Sequence, residues 1–118
     1  MKMLVCKKVS FDAAHYLPNY PGKCKNLHGH TWILEVEVCG PVDVESGMVI
    51  DFAKLKKDVN DSIIDILDHT LLNDTIGNPT CELLLEWIWD VLSNIYVLSR
   101  LRLWETPDSY AELRRDEC

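Results

Sequence analysis

Between Thr31 and Cys39 every second residue is large and apolar: Trp32, Leu34, Val36 and Val38. A strand sends alternate side chains to opposite faces, so this segment must lay one apolar face against a core. His28 and His30 fall in the same phase and extend that face toward its N-terminal end. Imidazoles among apolar neighbours cost free energy unless they are hydrogen-bonded or ligated. The stretch Cys24-Lys25-Asn26-Leu27-His28-Gly29-His30 is therefore the point around which the rest of the chain must be organised.

Residues 3–15 read as a preceding strand in which Val9, Phe11, Ala13 and His15 share a face. Pro18, Asn19, Pro21 and Gly22 punctuate the connection from Tyr16 to Leu27 as a turn. Together the two strands make an antiparallel hairpin with the three histidines gathered near its loop end. Three imidazoles without a fourth protein ligand are the pattern of catalytic zinc, which keeps one position for water or substrate. His15, His28 and His30 are accordingly the candidate zinc ligands. The competing reading, ordinary hydrogen-bonded core histidines, explains the trio less well.

Downstream, a polar loop leads through Gly47 to a short run, Met48 to Ile50, that marks a possible extra strand. Asp51 then caps a helix whose stripe is Phe52, Leu55, Val59, Ile63 and Ile66 and which stops near Asp68-His69. A second helix begins at 78–80 and carries Leu84, Ile88, Val91 and Ile95 on one side. Residues 98–106 form a strand with Leu101, Leu103 and Glu105 in phase, and a last strand lies around Tyr110 to Leu113. The order ββααββ predicts an α+β fold, an antiparallel sheet with two helices on one face. Its other face needs cover, and association of several copies into a closed barrel is one solution to its two free edges. At 118 residues and 47% hydrophobic composition, residues 1–118 fit one domain.

Five cysteines without a Cys-x-x-Cys pair suggest neither a disulfide framework nor a zinc ribbon, and suit a reducing cytoplasm. A net charge of -7 argues against a nucleic-acid partner, and no apolar run is long enough to span a membrane.

Six further residues carry candidate chemistry. Cys24 stands between Lys23 and Lys25, whose charges favour the nucleophilic thiolate. Asp68-His69 is either a solvated pair at a helix end or a carboxylate orienting a histidine to exchange protons with Cys24. Glu105, on an apolar strand face, needs a partner such as a ligand with several N–H donors. Thr80 and Glu82 look like capping residues at a helix N-terminus that could also hold an anion.

Phe11-Asp12-Ala13-Ala14-His15, Cys24-x3-His28-Gly29-His30, Asp51-Phe52-x2-Leu55, Leu67-Asp68-His69-x2-Leu72-Asn73, Asn78-Pro79-Thr80 and Glu105-Thr106 together resemble the 6-pyruvoyl-tetrahydropterin synthase family over nearly the whole chain. The Cys-x3-His-Gly-His spacing looks more like the bacterial branch, 6-carboxy-5,6,7,8-tetrahydropterin synthase of queuosine biosynthesis, than the animal branch. The resemblance implies the tunnelling fold, trimers that close a barrel and pair into a homohexamer, and active sites between subunits. It implies zinc on His15, His28 and His30, Cys24 as proton-abstracting base, Asp68 and His69 as its relay, Glu105 as pterin anchor and Thr80 as a further pterin contact. Cys81 and Leu83 depart from the commoner residues after that threonine. The implied substrate is 7,8-dihydroneopterin triphosphate, whose negative charge Lys23, Lys25 or a neighbouring subunit must offset. The implied products are the 6-carboxy pterin, acetaldehyde and triphosphate; the alternatives are a 6-pyruvoyl product or an inactive zinc- or pterin-binding module.

Overall fold

The computed structural model describes all residues from Met1 to Cys118. Two long strands, β1 (Lys2–His15) and β2 (His28–Pro41), form the hairpin, pairing antiparallel from Lys2↔Pro41 to His15↔His28. After the helices come β4 (Leu98–Thr106), antiparallel to β2, and β5 (Ser109–Arg114), antiparallel to β4. A two-residue β3 (Thr70–Leu71) runs parallel to Ala13 and Ala14, giving the sheet order β3-β1-β2-β4-β5. This is a mixed α+β tunnelling fold.

The extra strand therefore lies at Thr70–Leu71. Met48–Ile50, expected as that strand, joins no sheet and bends at Val49 and Ile50 before the helix cap. A two-residue strand has no alternation to read; its pairing is imposed by where the preceding helix ends.

That helix explains a second difference. α1 (Phe52–Val59), capped by Asp51 accepting from the Ala53 N–H at 2.8 Å, runs through a π-helical segment, Asn60–Ile64, into α2 (Asp65–Leu67). The buried residues are Leu55, Val59, Ile63 and Leu67, spaced by four, whereas Phe52 and Ile66 of the expected stripe are exposed. An α-helix drifts by about 40° over each four-residue step, and the wider π turn removes that drift. Leu67 thus reaches the core in place of Ile66, and Asp68 and His69 are delivered to the sheet edge.

α3 (Cys81–Leu92) buries Cys81, Leu84, Leu85, Ile88 and Leu92. Trp87 and Trp89 are half-buried against the same core, and Ile95 is exposed. Helices and sheet enclose Val9, Phe11, Trp32, Leu34, Val36, Leu101 and Leu103.

The face without helices is polar. Arg100 and Trp104 bond Glu35, Arg100 also meets Glu37, and Arg102 grips Glu112 at 2.7 Å. The outer edges of β5 and of most of β1 have no partner within the chain. Cys39 and Cys118, 79 residues apart, lie with Cα atoms 5.8 Å apart, within the span a disulfide bridges; this pairing is one the cysteine spacing did not suggest. No helix is long and apolar enough to cross a membrane.

Candidate metal centre and surrounding site

The ladder places the three histidines. His15 pairs with His28 at the end of the hairpin, and His30 lies opposite Ala13 one step further in. Equal phase on the two strands puts all three rings on the helix side of the sheet, and their ligand atoms lie within 4.8 Å of one another. Trp32 closes the cluster from below, its ring centroid 5.1 Å from that of His15 and 5.5 Å from that of His30.

Hydrogen bonds define the chemistry these rings offer. His15 Nδ1 lies 2.8 Å from the Pro79 carbonyl and His28 Nδ1 lies 2.7 Å from the Asn26 carbonyl. A carbonyl only accepts, so each Nδ1 carries the hydrogen and each Nε2 is left as a bare lone pair. Those two Nε2 atoms face each other at 3.0 Å. His30 Nε2 is buried without a hydrogen-bond partner, an arrangement that costs about 1–3 kcal/mol if nothing binds it. Burial holds the His15 and His30 imidazoles below the usual histidine range, with the Pro79 carbonyl and Glu105, respectively, opposing. Two converging Nε2 lone pairs with backbone carbonyls behind their rings, beside the unpartnered His30 Nε2, are a donor set suited to a borderline divalent cation such as zinc. The donor set therefore fits a metal ion.

Cys24 sits in a 3₁₀ turn, Lys23–Lys25, anchored by the Leu17 N–H, which donates to the Cys24 carbonyl at 2.8 Å. With Lys23, His28, His30 and Glu105 it lines a hollow of about 280 Å³. Glu105 Oε1 lies 3.8 Å from His30 Nε2, whereas Arg102 pairs with Glu112 instead. Glu105 also lines a second hollow of about 430 Å³, with Cys81, Glu82, Ser109, Tyr110 and Ala111. It thus joins the histidine cluster to a larger space. Thr80 caps α3, its hydroxyl accepting from the Leu83 N–H at 3.1 Å.

Asp68 and His69 form a dyad, Oδ2 to Nδ1 2.9 Å. The Asp12 N–H and the neighbouring His69 hold the Asp68 carboxyl below its usual range, so it remains an acceptor for the ring. His69 turns the chain from α2 into β3 at φ 60, a region unusual for a residue with a Cβ. Within one chain His69 lines a third hollow, of about 670 Å³, with Asp12, Gly29 and His30 among its walls, and neither member of the dyad lines the hollow of Cys24.

The structure thus gathers His15, His28, His30, Cys24 and Glu105, and leaves Asp68–His69 on a separate wall. Strand alternation exposed the histidines. It gave no hint of the Pro79 and Asn26 carbonyls, because backbone acceptors leave no mark in a sequence.

A profile of the 6-pyruvoyl tetrahydropterin synthase family matches residues 4–116. The chain belongs to this family, whose members process pterins. It is 37% identical to the 6-carboxy-5,6,7,8-tetrahydropterin synthase of Haemophilus influenzae, covering 92% of this chain and 96% of that protein. It is 41% identical to a dihydroneopterin monophosphate aldolase of Pyrococcus furiosus, covering 96% and 98%. The structure of Caenorhabditis elegans 6-pyruvoyl tetrahydropterin synthase is similar with a TM-score of 0.87 at 28% identity, over 98% of this chain and 97% of that one.

Proposed function

We propose that this protein converts 7,8-dihydroneopterin triphosphate to 6-carboxy-5,6,7,8-tetrahydropterin, acetaldehyde and triphosphate, a carbon–carbon lyase reaction at an early step of queuosine biosynthesis in the cytoplasm. The observation that carries the reading is the clustering of the ring nitrogens of His15, His28 and His30, the last of them buried without a partner, at a hollow that His28 and His30 line together with Cys24 and Glu105. His15, His28 and His30 would hold zinc, whose Lewis acidity toward the substrate's side-chain hydroxyls acidifies the neighbouring C–H.

Cys24, as thiolate, removes a proton from the side chain and returns it elsewhere. Glu105 accepts the ring N–H donors of the pterin in the hollow bounded by Cys81 and Tyr110. Thr80, beside Cys81 at the helix cap, contacts the same ring. Asp68 orients His69, and the dyad exchanges the proton with Cys24 of a neighbouring subunit when copies close a barrel. Unpaired edges on β1 and β5 and the polar, helix-free face support that closure into trimers, and the trimers pair into a hexamer.

The balance closes within the substrate. The ring gains two hydrogens at the expense of the side chain, and the bond to triphosphate breaks. Water then supplies the carboxylate oxygen as the C–C bond to the two-carbon fragment is cleaved, releasing acetaldehyde. No external reductant is needed.

A second reading is aldol cleavage of a dihydroneopterin monophosphate, favoured by the 41% identity to the Pyrococcus furiosus aldolase. Mass spectrometry of the pterin formed by zinc-loaded protein from each substrate separates the two. A 6-carboxytetrahydropterin with acetaldehyde is expected. A 6-pyruvoyl product alone, or turnover of the monophosphate only, would overturn the assignment.

A further inference from the structure

The hairpin ladder ends at the pair His15↔His28, both in the imidazole cluster. Terminal pairs of a ladder fray, because nothing beyond them shares the restraint. Here the next residue, Tyr16, is held by neither neighbouring strand. The Asn73 side chain holds it instead: Asn73 Oδ1 accepts from the Tyr16 N–H at 3.1 Å and Asn73 Nδ2 donates to the Tyr16 carbonyl at 2.9 Å. One amide thus satisfies both backbone groups of a single residue, as a paired strand would.

This clamp finishes a longer strip. The Asp68 carboxylate accepts from the Asp12 N–H at 2.9 Å, the His69 N–H donates to the Asp12 carbonyl at 2.6 Å, and Thr70 and Leu71 pair with Ala13 and Ala14. Residues 68–73 therefore grip residues 12–16 at both ends, with His15 inside the grip. Beyond Tyr16, the Leu17 N–H bonds the Cys24 carbonyl, so the same restraint reaches the turn that carries the thiol.

We propose that Asn73 is a positioning residue that acts as a surrogate strand, fixing the end of β1 so that His15 and the Cys24 turn keep their places. This rests on the reading of the histidine trio as a metal centre. Asn73 belongs neither to the histidine cluster nor to the walls of the three hollows around it. Its effect passes through the backbone of Tyr16 to the ring of His15, which the Pro79 carbonyl orients from the other side.

The test uses the full chain in three variants, Asn73→Ala, Asn73→Asp and Asn94→Ala. Asn94 Nδ2 donates to the Asp90 carbonyl at 2.9 Å near the end of α3, so its replacement removes a similar amide–carbonyl bond elsewhere in the fold. Zinc affinity is measured by competition with a chromophoric chelator, and ligand geometry by the visible absorption of the Co2+-loaded protein. Asn73→Ala should weaken zinc binding by about tenfold or more, in the range found for residues that orient metal ligands, and alter the Co2+ spectrum. Asn73→Asp, which keeps the acceptor for Tyr16 N–H and loses the donor, should show an intermediate loss; it carries the comparison if the alanine variant does not fold. Asn94→Ala should leave both readouts unchanged. Zinc affinity within about twofold of the parent protein and an unchanged Co2+ spectrum in the folded Asn73 variants would overturn the proposal. Failure of the parent protein itself to take up zinc would instead refute the underlying metal-centre reading, and the proposal with it.

Discussion

His15 Nε2 and His28 Nε2 face each other across 3.0 Å, with a backbone carbonyl behind each ring. Two lone pairs so placed repel, and a cation that accepts both converts the repulsion into binding. The Pro79 and Asn26 carbonyls fix the tautomers in advance, so little ring reorganisation is required when the ion arrives.

Removing one donor should therefore be felt chiefly as lost metal affinity. His28→Ala is expected to weaken zinc binding by more than about 100-fold, beyond the range for outer-shell changes, while leaving the far-ultraviolet circular dichroism unaltered. Trp32, 5.1 Å from the His15 ring, gives a second readout: its fluorescence should respond to zinc in the parent protein and not in the variant.

The cysteines should separate chemically. Burial pushes the Cys81 thiol up to about 11, so roughly one in a thousand is thiolate at pH 8. Peptide mapping after brief iodoacetamide treatment at that pH should find Cys24 alkylated and Cys81 intact, with turnover lost in step with Cys24. Cys24→Ala should lower kcat by about 10³-fold, the scale of removing a proton-transfer group, with zinc affinity retained.

Glu105 should control pterin binding more than metal binding. Replacing a carboxylate that accepts charge-assisted hydrogen bonds with an amide costs about 1.5–3 kcal/mol, so Glu105→Gln should raise KM by roughly 10- to 100-fold. Equal loss of zinc affinity and pterin affinity would argue against an anchoring role.

The polar face offers a pH signature. Arg102 beside Glu112 holds its carboxyl below the ordinary glutamate value, with Arg114 adding to the effect. A depressed carboxyl pKa stabilises the fold above the unfolded value, near 4.3, and the contribution disappears as pH falls through the folded value. Glu112→Gln should thus lower unfolding stability by about 1–2 kcal/mol at pH 7, measured by denaturant titration, and the gap to the parent protein should narrow at pH 3.

Strand alternation made the hairpin, β4 and the histidine trio readable, because a period of two fixes both the face and, through the turn, the pairing. Glu105 was legible for the same reason, as a carboxylate in phase with Leu101 and Leu103. The π turn left no periodic trace until Leu67 proved buried in place of Ile66. β3 and the Asn73 clamp arise only once the helix end docks on β1, as does the approach of Cys39 to Cys118 across 79 residues. The separate wall occupied by Asp68–His69 belongs to the same class: sequence order places the dyad at a helix end, and only packing decides which hollow it faces.

X-ray absorption at the zinc edge of the loaded protein reports the coordination shell directly. The account predicts one zinc per chain, with three imidazole nitrogens at about 2.0–2.1 Å and a light-atom ligand completing the shell. A sulfur scatterer at about 2.3 Å in the first shell, or no stoichiometric uptake, would contradict it.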